Sequence, residues 1–322
     1  MIWLCNVSCS DDHMPEPDIN KTAYIKIRQN LFRSATMVDE DNLESEQTIK
    51  TIALFLTEPS STKIVYKYIN IGSMDMDKYK LVTLPLQESE LGKKDIYLIT
   101  NYGSTNLSAV ETMDDIKKLN TPAVDKNHVL DPNEGFCMYG KLLNFDFTNT
   151  NSSAIVNAER TCAKYKITLT FPENPVLSTD NTFVIANEAS YTHIVDGLRG
   201  GIQDSDYFNI ASPLALEPDG SGKYMNTVYM YEAEKAPQIY VYTRINNSSV
   251  KQEFSVDLPV PYRNYMYDID IQIYENYNSR TTRADIKEPQ YSIKTTVKTY
   301  LSNHQESSLW LSPPTNLDLR ML

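Results

Sequence analysis

The stretch YMYDIDIQIYEN, Tyr265–Asn276, decides the fold class. After Tyr267, the residues Ile269, Ile271 and Ile273 alternate with Asp268, Asp270 and Gln272. A period of two sends neighbouring side chains to opposite faces of an extended chain. The isoleucines therefore line a core, and the segment is a half-buried strand. Asp268 and Asp270 fall on its solvent face, where a pair of carboxylates is surface chemistry and not a catalytic dyad.

The same pattern continues outward. Downstream, YSIKTTVKTYL (Tyr291–Leu301) sets Ile293, Thr295, Val297, Thr299 and Leu301 on one side, ahead of a polar tail. Upstream, CAKYKITLTF, TFVIANEASYTHIV, NTVYMYEAE, PQIYVYTRI and QEFSVDLPV are strand candidates joined by polar turns. In the first half, TAYIKI (Thr22–Ile27) carries Ala23, Ile25 and Ile27 on one face. IKTIALFL (Ile49–Leu56) is almost continuously apolar, as a strand covered on both faces would be. TKIVYKYINI, YKLVTLPL and KDIYLITN follow, and GFCMYGKLLNFDF returns to strand character. Between the first two strands, the acidic run Asp39–Glu46 reads as an exposed loop. One helix is predicted over Asn106–Leu119, with Leu107, Val110, Met113 and Ile116 along one side and Ser108 with Glu111 as a capping box. Many short strands with few helices indicate antiparallel β-sandwiches. At 322 residues the chain exceeds what one core usually serves. The polar stretch Asn149–Ala158 divides it into a leader and linker (1–18), an N-terminal sandwich (19–152) and a C-terminal sandwich (153–322).

Composition narrows the function. A net charge of −12 repels phosphate backbones and argues against nucleic-acid binding. Tyrosine outnumbers phenylalanine 22 to 9, which suits strand faces whose rings pack while their hydroxyls stay wet. The four histidines (His13, His128, His193, His304) show no HExxH spacing, and no GxSxG, Walker or GxGxxG motif occurs. GLRGG (Gly197–Gly201) reads as a surface turn and EPDGSG (Glu217–Gly222) as a hairpin turn. No CxxC pair supports a metal site, and Cys137 and Cys162 read as small core residues. A disulfide between those two stays open, because spacing does not decide pairing. The chain is thus expected to be non-enzymatic, with no cofactor and no metal.

The first residues carry a different signal. MIWLCNVS precedes Cys9 without a basic residue, and Ser10, Asp11 and Asp12 follow. Small residues before Cys9 resemble the end of a bacterial lipoprotein signal, and the acidic run after it resembles the tag that sends lipoproteins of Bacteroides-like bacteria to the outer face of the outer membrane. Lipidation of Cys9 is the expectation. Acyl chains contribute about 0.8 kcal/mol per buried CH₂, so two or more chains anchor stably.

Five further stretches resemble one family, in its order. They are DIYLITNYGSTNLSAVETMDDIKKL, GFCMYG, ERTCAKYKITLTF with its R-x-x-A-K pattern, VYMYEAEKAPQIYVY and PYRNYMYDIDIQI. Together they resemble the fimbrillins of Bacteroidales type V pili, the FimA-like and Mfa-like lipoproteins. That resemblance implies two transthyretin-like Greek-key β-sandwich domains, with one short helix in the N-terminal domain, on a surface-exposed outer-membrane fimbria that supports adhesion. It also implies donor-strand exchange. An arginine-specific protease cuts at Arg33–Ser34, the strand of Ala23, Ile25 and Ile27 leaves, and a strand such as Ile293, Thr295, Val297, Thr299 and Leu301 fills the groove. The implied partners are other fimbrial subunits, outer-membrane lipid, that protease, and a ligand on a host or bacterial surface. Exchange of this kind is physically coherent. An emptied slot exposes unpaired N–H and C=O groups, and a new strand restores them while its alternate side chains set register. Two alternatives remain: an uncleaved anchor or tip-adhesin subunit of the same pilus, and a surface lipoprotein that binds carbohydrate through exposed tyrosines.

Overall fold

A computed structural model describes residues 21–29, 44–70, 80–148, 153–171, 181–195, 202–214, 222–245, 251–276 and 290–300. Among the described residues the architecture is all-β, with one short α-helix. In the first half, β1 (Lys21–Gln29), β2 (Ile52–Thr57), β3 (Ile64–Asn70), β4 (Lys80–Leu86), β5 (Lys93–Thr100), β6 (Met138–Asp146) and β7 (Ser153–Arg160) make one sheet in the order β3-β2-β5-β6-β7-β1-β4. Only β1 and β7 run parallel. β6 and β7 share just the pairs Met138–Arg160, Tyr139–Glu159 and Gly140–Ala158. At this corner the sheet turns, bringing Leu54, Leu56 and Leu98 into one core with Ile25, Leu84 and Val156.

Gly140 makes the corner possible. A Cβ there would lie 2.4 Å from the Asn157 carbonyl oxygen and 3.0 Å from Val156 Cγ1. Backbone cannot step aside as a flexible side chain can. Gly140→Ala is therefore expected to cost about 1–3 kcal/mol by overpacking. Urea denaturation checks it, and an unshifted midpoint would mean that the corner yields.

The apolar run of β2 has its predicted cause. Every residue of the strand is buried. Ile52, Leu54 and Leu56 face the sandwich core, while Ala53 and Phe55 face a second cluster with Leu107, Val110, Met113 and Ile116. Those four are the residues expected on one helix face, and they are buried, but the helix is shorter than expected. α1 spans Met113–Lys117, with Thr112 as N-cap and Asp115 closing the capping box. Ser108 instead binds the Asn106 side chain. The backbone before α1 is taken by the neighbouring chain: Ile64 N–H donates to Glu111 and Met113 N–H to Thr62. Peptide groups paired outward cannot close helical turns, which keeps α1 short.

The second half contains β8 (Cys162–Thr170), β9 (Thr182–Ala189), β10 (Tyr207–Pro213), β11 (Lys223–Tyr231), β12 (Gln238–Thr243), β13 (Gln252–Asp257), β14 (Met266–Asn276) and β15 (Gln290–Tyr300). Two four-stranded sheets, β10-β9-β12-β13 and β11-β8-β14-β15, enclose a core that includes Ile269, Ile271 and Ile273. Asp268 and Asp270 stand on the outer face, half-buried. The strand pairing corrects the expected boundary. Ser153–Arg160 belongs to the first sheet through β1 and β6, so the chain passes between halves at Thr161 and not at residue 153. Its polar composition concealed it: alternate positions, Ala154, Val156 and Ala158, are small enough to bury and too small to advertise a strand. Cys137 and Cys162 are both buried and free. Burial pushes the Cys137 thiol up to about 12, leaving it protonated and inert.

Candidate strand-exchange site

β1 forms because its residues suit a slot covered on one side. Ala23, Ile25 and Ile27 are buried in the core, whereas Lys26 and Arg28 are exposed on the other face. The strand is interior to the sheet. It pairs antiparallel with β4 from Lys21–Leu86 to Ile27–Lys80, and parallel with β7 from Tyr24–Ser153 to Gln29–Ala158. Withdrawing β1 would bare two backbone ladders at once, one on each neighbour. On the outer face, Leu81 of β4 and Ile155 of β7 flank Lys26, and both are about half exposed at 48% and 49%. The slot therefore has apolar lips as well as an apolar floor.

β15 is held differently. Among the described residues it is an edge strand, paired only with β14 through eleven residues from Met266–Tyr300 to Asn276–Gln290. Ile293 packs against the core while only partly buried, Thr295 is half-buried, and Lys294 and Thr296 are exposed. Val297 and Thr299 keep the same register, opposite Ile269 and Tyr267. Thus β1 sinks its isoleucines completely and β15 does not. The predicted acceptor and donor residues lie in two different sheets of the chain, and the structure does not bring them together. Cys9, Arg33, Ser34 and Leu301 lie outside the described residues, as do GLRGG and most of EPDGSG.

Exposed tyrosines do not gather into a stacking platform among the described residues. Tyr262 and Tyr274 are the exposed ones, and they stand before and near the far end of β14. At about 3.3 Å per residue they are separated by tens of ångströms along the strand.

Two carboxylates of consequence escaped the sequence reading. Glu46, expected in an exposed loop, is completely buried, and Glu188 in β9 is 1% exposed. Neither has a local signature. Asn187 offers a hint for Glu188, since asparagine tolerates the left-handed backbone that it adopts here at φ 64°. The pairing of β9 with β10 shifts at that point, so the bulge turns Glu188 inward.

No protein-family model matches the chain, and no curated protein matches it. Solved structures do. The tip fimbrial protein Mfa3 from Porphyromonas gingivalis, with a C-terminal truncation, is 14% identical over 87% of this chain and 100% of its own, with a TM-score of 0.57. A candidate cell adhesion protein from Parabacteroides distasonis is 13% identical over 89% of this chain and 99% of its own, with a TM-score of 0.60. A fimbrial assembly protein from the same organism is 13% identical over 87% of this chain and 99% of its own, with a TM-score of 0.51. The chain shares the all-β fold of these Bacteroidales proteins across most of its length.

Proposed function

We propose that this chain is a structural, non-enzymatic subunit of a cell-surface fimbria, exported as a lipoprotein on an acylated Cys9 and joined to other fimbrial subunits by strand exchange. The proteins that share its fold are named for fimbriae and cell adhesion, which supports the class. Fold alone does not carry function. The observation that carries the reading is the place of β1: the first described strand, it is interior to its sheet, with Ile25 and Ile27 buried between two partners. Once the chain is cut between β1 and β2, β1 is no longer tethered to its sheet, and its slot recognises any extended segment of matching alternation.

Arg33 is the proposed processing site. Arg28, the other nearby arginine, lies within β1 and opposite Asn157 in the ladder with β7. A protease must draw its substrate into its own extended site, so a residue already paired in a sheet is protected. Treating the purified full chain with limiting arginine-specific protease tests the reading. A new N-terminus at Ser34 and SDS-resistant oligomers are expected, and both should vanish in Arg33→Ala. Ladders that persist in Arg33→Ala, or a cut that leaves stable monomers, overturn exchange. In cells, Cys9→Ala should abolish labelling by a fatty-acid analogue and release the protein from the membrane; equal labelling removes the anchor from the proposal.

One observation favours a second reading, an uncleaved anchor or tip subunit. β15 is paired through all eleven residues in its own sheet, so it is not standing free to enter a neighbour. Clean cleavage without oligomers would select this reading.

A further inference from the structure

Four of the five stretches that carry the family resemblance meet at a place that strand exchange does not use. Phe136 comes from GFCMYG, Arg160 and Lys164 from ERTCAKYKITLTF, Tyr229 from VYMYEAE, and Asn264 from PYRNYMYDIDIQI. They surround Glu46, which belongs to none of those stretches. Glu46 sits in a single 3-10 turn, Glu44–Gln47, on the connection from β1 to β2, and its side chain crosses from the first half into the second. Its Oε1 accepts from Lys164 Nζ of β8 at 2.6 Å and from the Tyr229 hydroxyl of β11 at 2.6 Å. Its carbonyl accepts from Arg160 Nε at 3.3 Å and Nη2 at 3.0 Å, at the end of β7. Arg160 Nη1 donates onward to Asn264 Oδ1 at 3.3 Å, just before β14. The Phe136 ring lies against the Tyr229 ring, centroids 4.7 Å apart. Glu46 and Arg160 are completely buried and Lys164 nearly so.

We infer that Glu46 is a latch that fixes the second sandwich on the first, and that its bonds do not depend on which strand fills the β1 slot. Two features support this. The charge pair Glu46–Lys164 is shielded from water, so its partners cannot drift apart without baring a charge in a low-dielectric interior. β1, in contrast, reaches the same turn, among the described residues, through a hydrogen bond from Gln29 Nε2 to the Gln47 carbonyl at 2.7 Å. Refilling the slot with another strand replaces that bond and involves none of those to Lys164, Tyr229 and Arg160. A polymer of two-sandwich subunits needs a fixed angle between its sandwiches, and a junction independent of the exchanged strand supplies one. The statement about the β1 slot rests on the strand-exchange reading; the latch itself does not.

The test uses the uncut full chain, so its outcome stands whether or not a protease acts at Ser34. Glu46→Gln keeps an acceptor for Tyr229 but strips Lys164 of its counter-charge. Lys164→Met removes the ammonium that Glu46 Oε1 binds and leaves Arg160 as its nearby cation. Combining the two removes both charges while keeping side-chain length, and a buried pair replaced as a whole is often tolerated where a broken pair is not. Each single variant is expected to lose the single calorimetric transition, splitting it in two, and to show a larger radius of gyration in small-angle scattering. The double variant should return to one transition and the wild-type radius. One transition with an unchanged radius in both single variants, even at a lower midpoint, makes Glu46 an ordinary stabilising contact and overturns the latch. If neither single variant folds, Tyr229→Phe decides by removing one bond and keeping the charge pair. A larger radius upholds the latch, and an unchanged one overturns it.

Discussion

Glu188→Gln is expected to stabilise the protein at pH 8 by about 3–5 kcal/mol and to leave its stability near pH 4.5 unchanged. Glu188 is buried in β9, and among the described residues neither of its carboxylate oxygens has a hydrogen-bond partner. Burial pushes its carboxyl from the ordinary 4.5 up to about 8. The surroundings give the charge no help, since the buried neighbours that sense it include the Tyr231 phenol, whose own pKa is raised mainly by burial. Below the ordinary carboxylate value, folded and unfolded chains both hold the proton. Between that value and about 8, the unfolded chain releases the proton and the folded chain keeps it. Stability therefore falls as pH rises through this window and levels off above it. An amide cannot ionise, so the variant escapes the loss. Denaturant unfolding at pH 5, 6, 7 and 8 should show wild type and variant diverging steadily. Curves that stay parallel would mean that water or a neighbour solvates Glu188.

This group marks the limit of what the sequence discloses. The alternation of Ile269, Ile271 and Ile273 was legible because a strand's two faces are written in adjacent residues, and all three reach the core as expected. The continuous apolar run of β2 was legible for a related reason: covering both faces leaves no polar positions. Helix α1 was half legible. Its apolar spacing is set by burial against β2 and β5, but its length is set by backbone bonds to Thr62 and Ile64, almost fifty residues upstream. Glu46 was illegible, since its partners stand 118 and 183 positions along the chain. A carboxylate in an acidic run looks solvated until those partners are brought to it. The R-x-x-A-K pattern, Arg160 to Lys164, is part of the family resemblance. Its physical content is that the two cations straddle the passage between the halves and reach the same glutamate. For the strand-exchange residues, the sequence supplied alternation without depth. Ile25 and Ile293 look alike on the page, yet one is completely buried and the other only partly.

A chain that begins at Ser34 is expected to lose the fold of its first sandwich and to recover it when the β1 segment is added as a peptide. Burying Ile25 and Ile27 is worth about 1.5–3 kcal/mol each, on the scale of the 5–15 kcal/mol that separates a folded domain from its unfolded chain. The damage spreads beyond those two side chains. Among the described residues β4 is the last strand of the sheet and has β1 as its sole neighbour there, so removing β1 also strands Val82, Leu84 and Leu86, all within 1% of complete burial. On the other side, β7 loses its parallel ladder from Ser153 to Ala158. The second sandwich has its own core and two complete sheets, and it should keep its native signals. Adding KTAYIKIRQ in trans should restore the first sandwich, as read by amide NMR or hydrogen exchange. QYSIKTTVKTY should rescue more weakly. It offers Ile293 and Val297 with Thr295 between them, and burying a hydroxyl in the place of Ile25, among apolar side chains, costs free energy unless it finds a hydrogen bond. A truncated chain that keeps its full stability makes β1 dispensable and ends the exchange proposal. Rescue by KTAYIKIRQ alone, with no response to QYSIKTTVKTY, keeps the slot and assigns its donor to a different subunit.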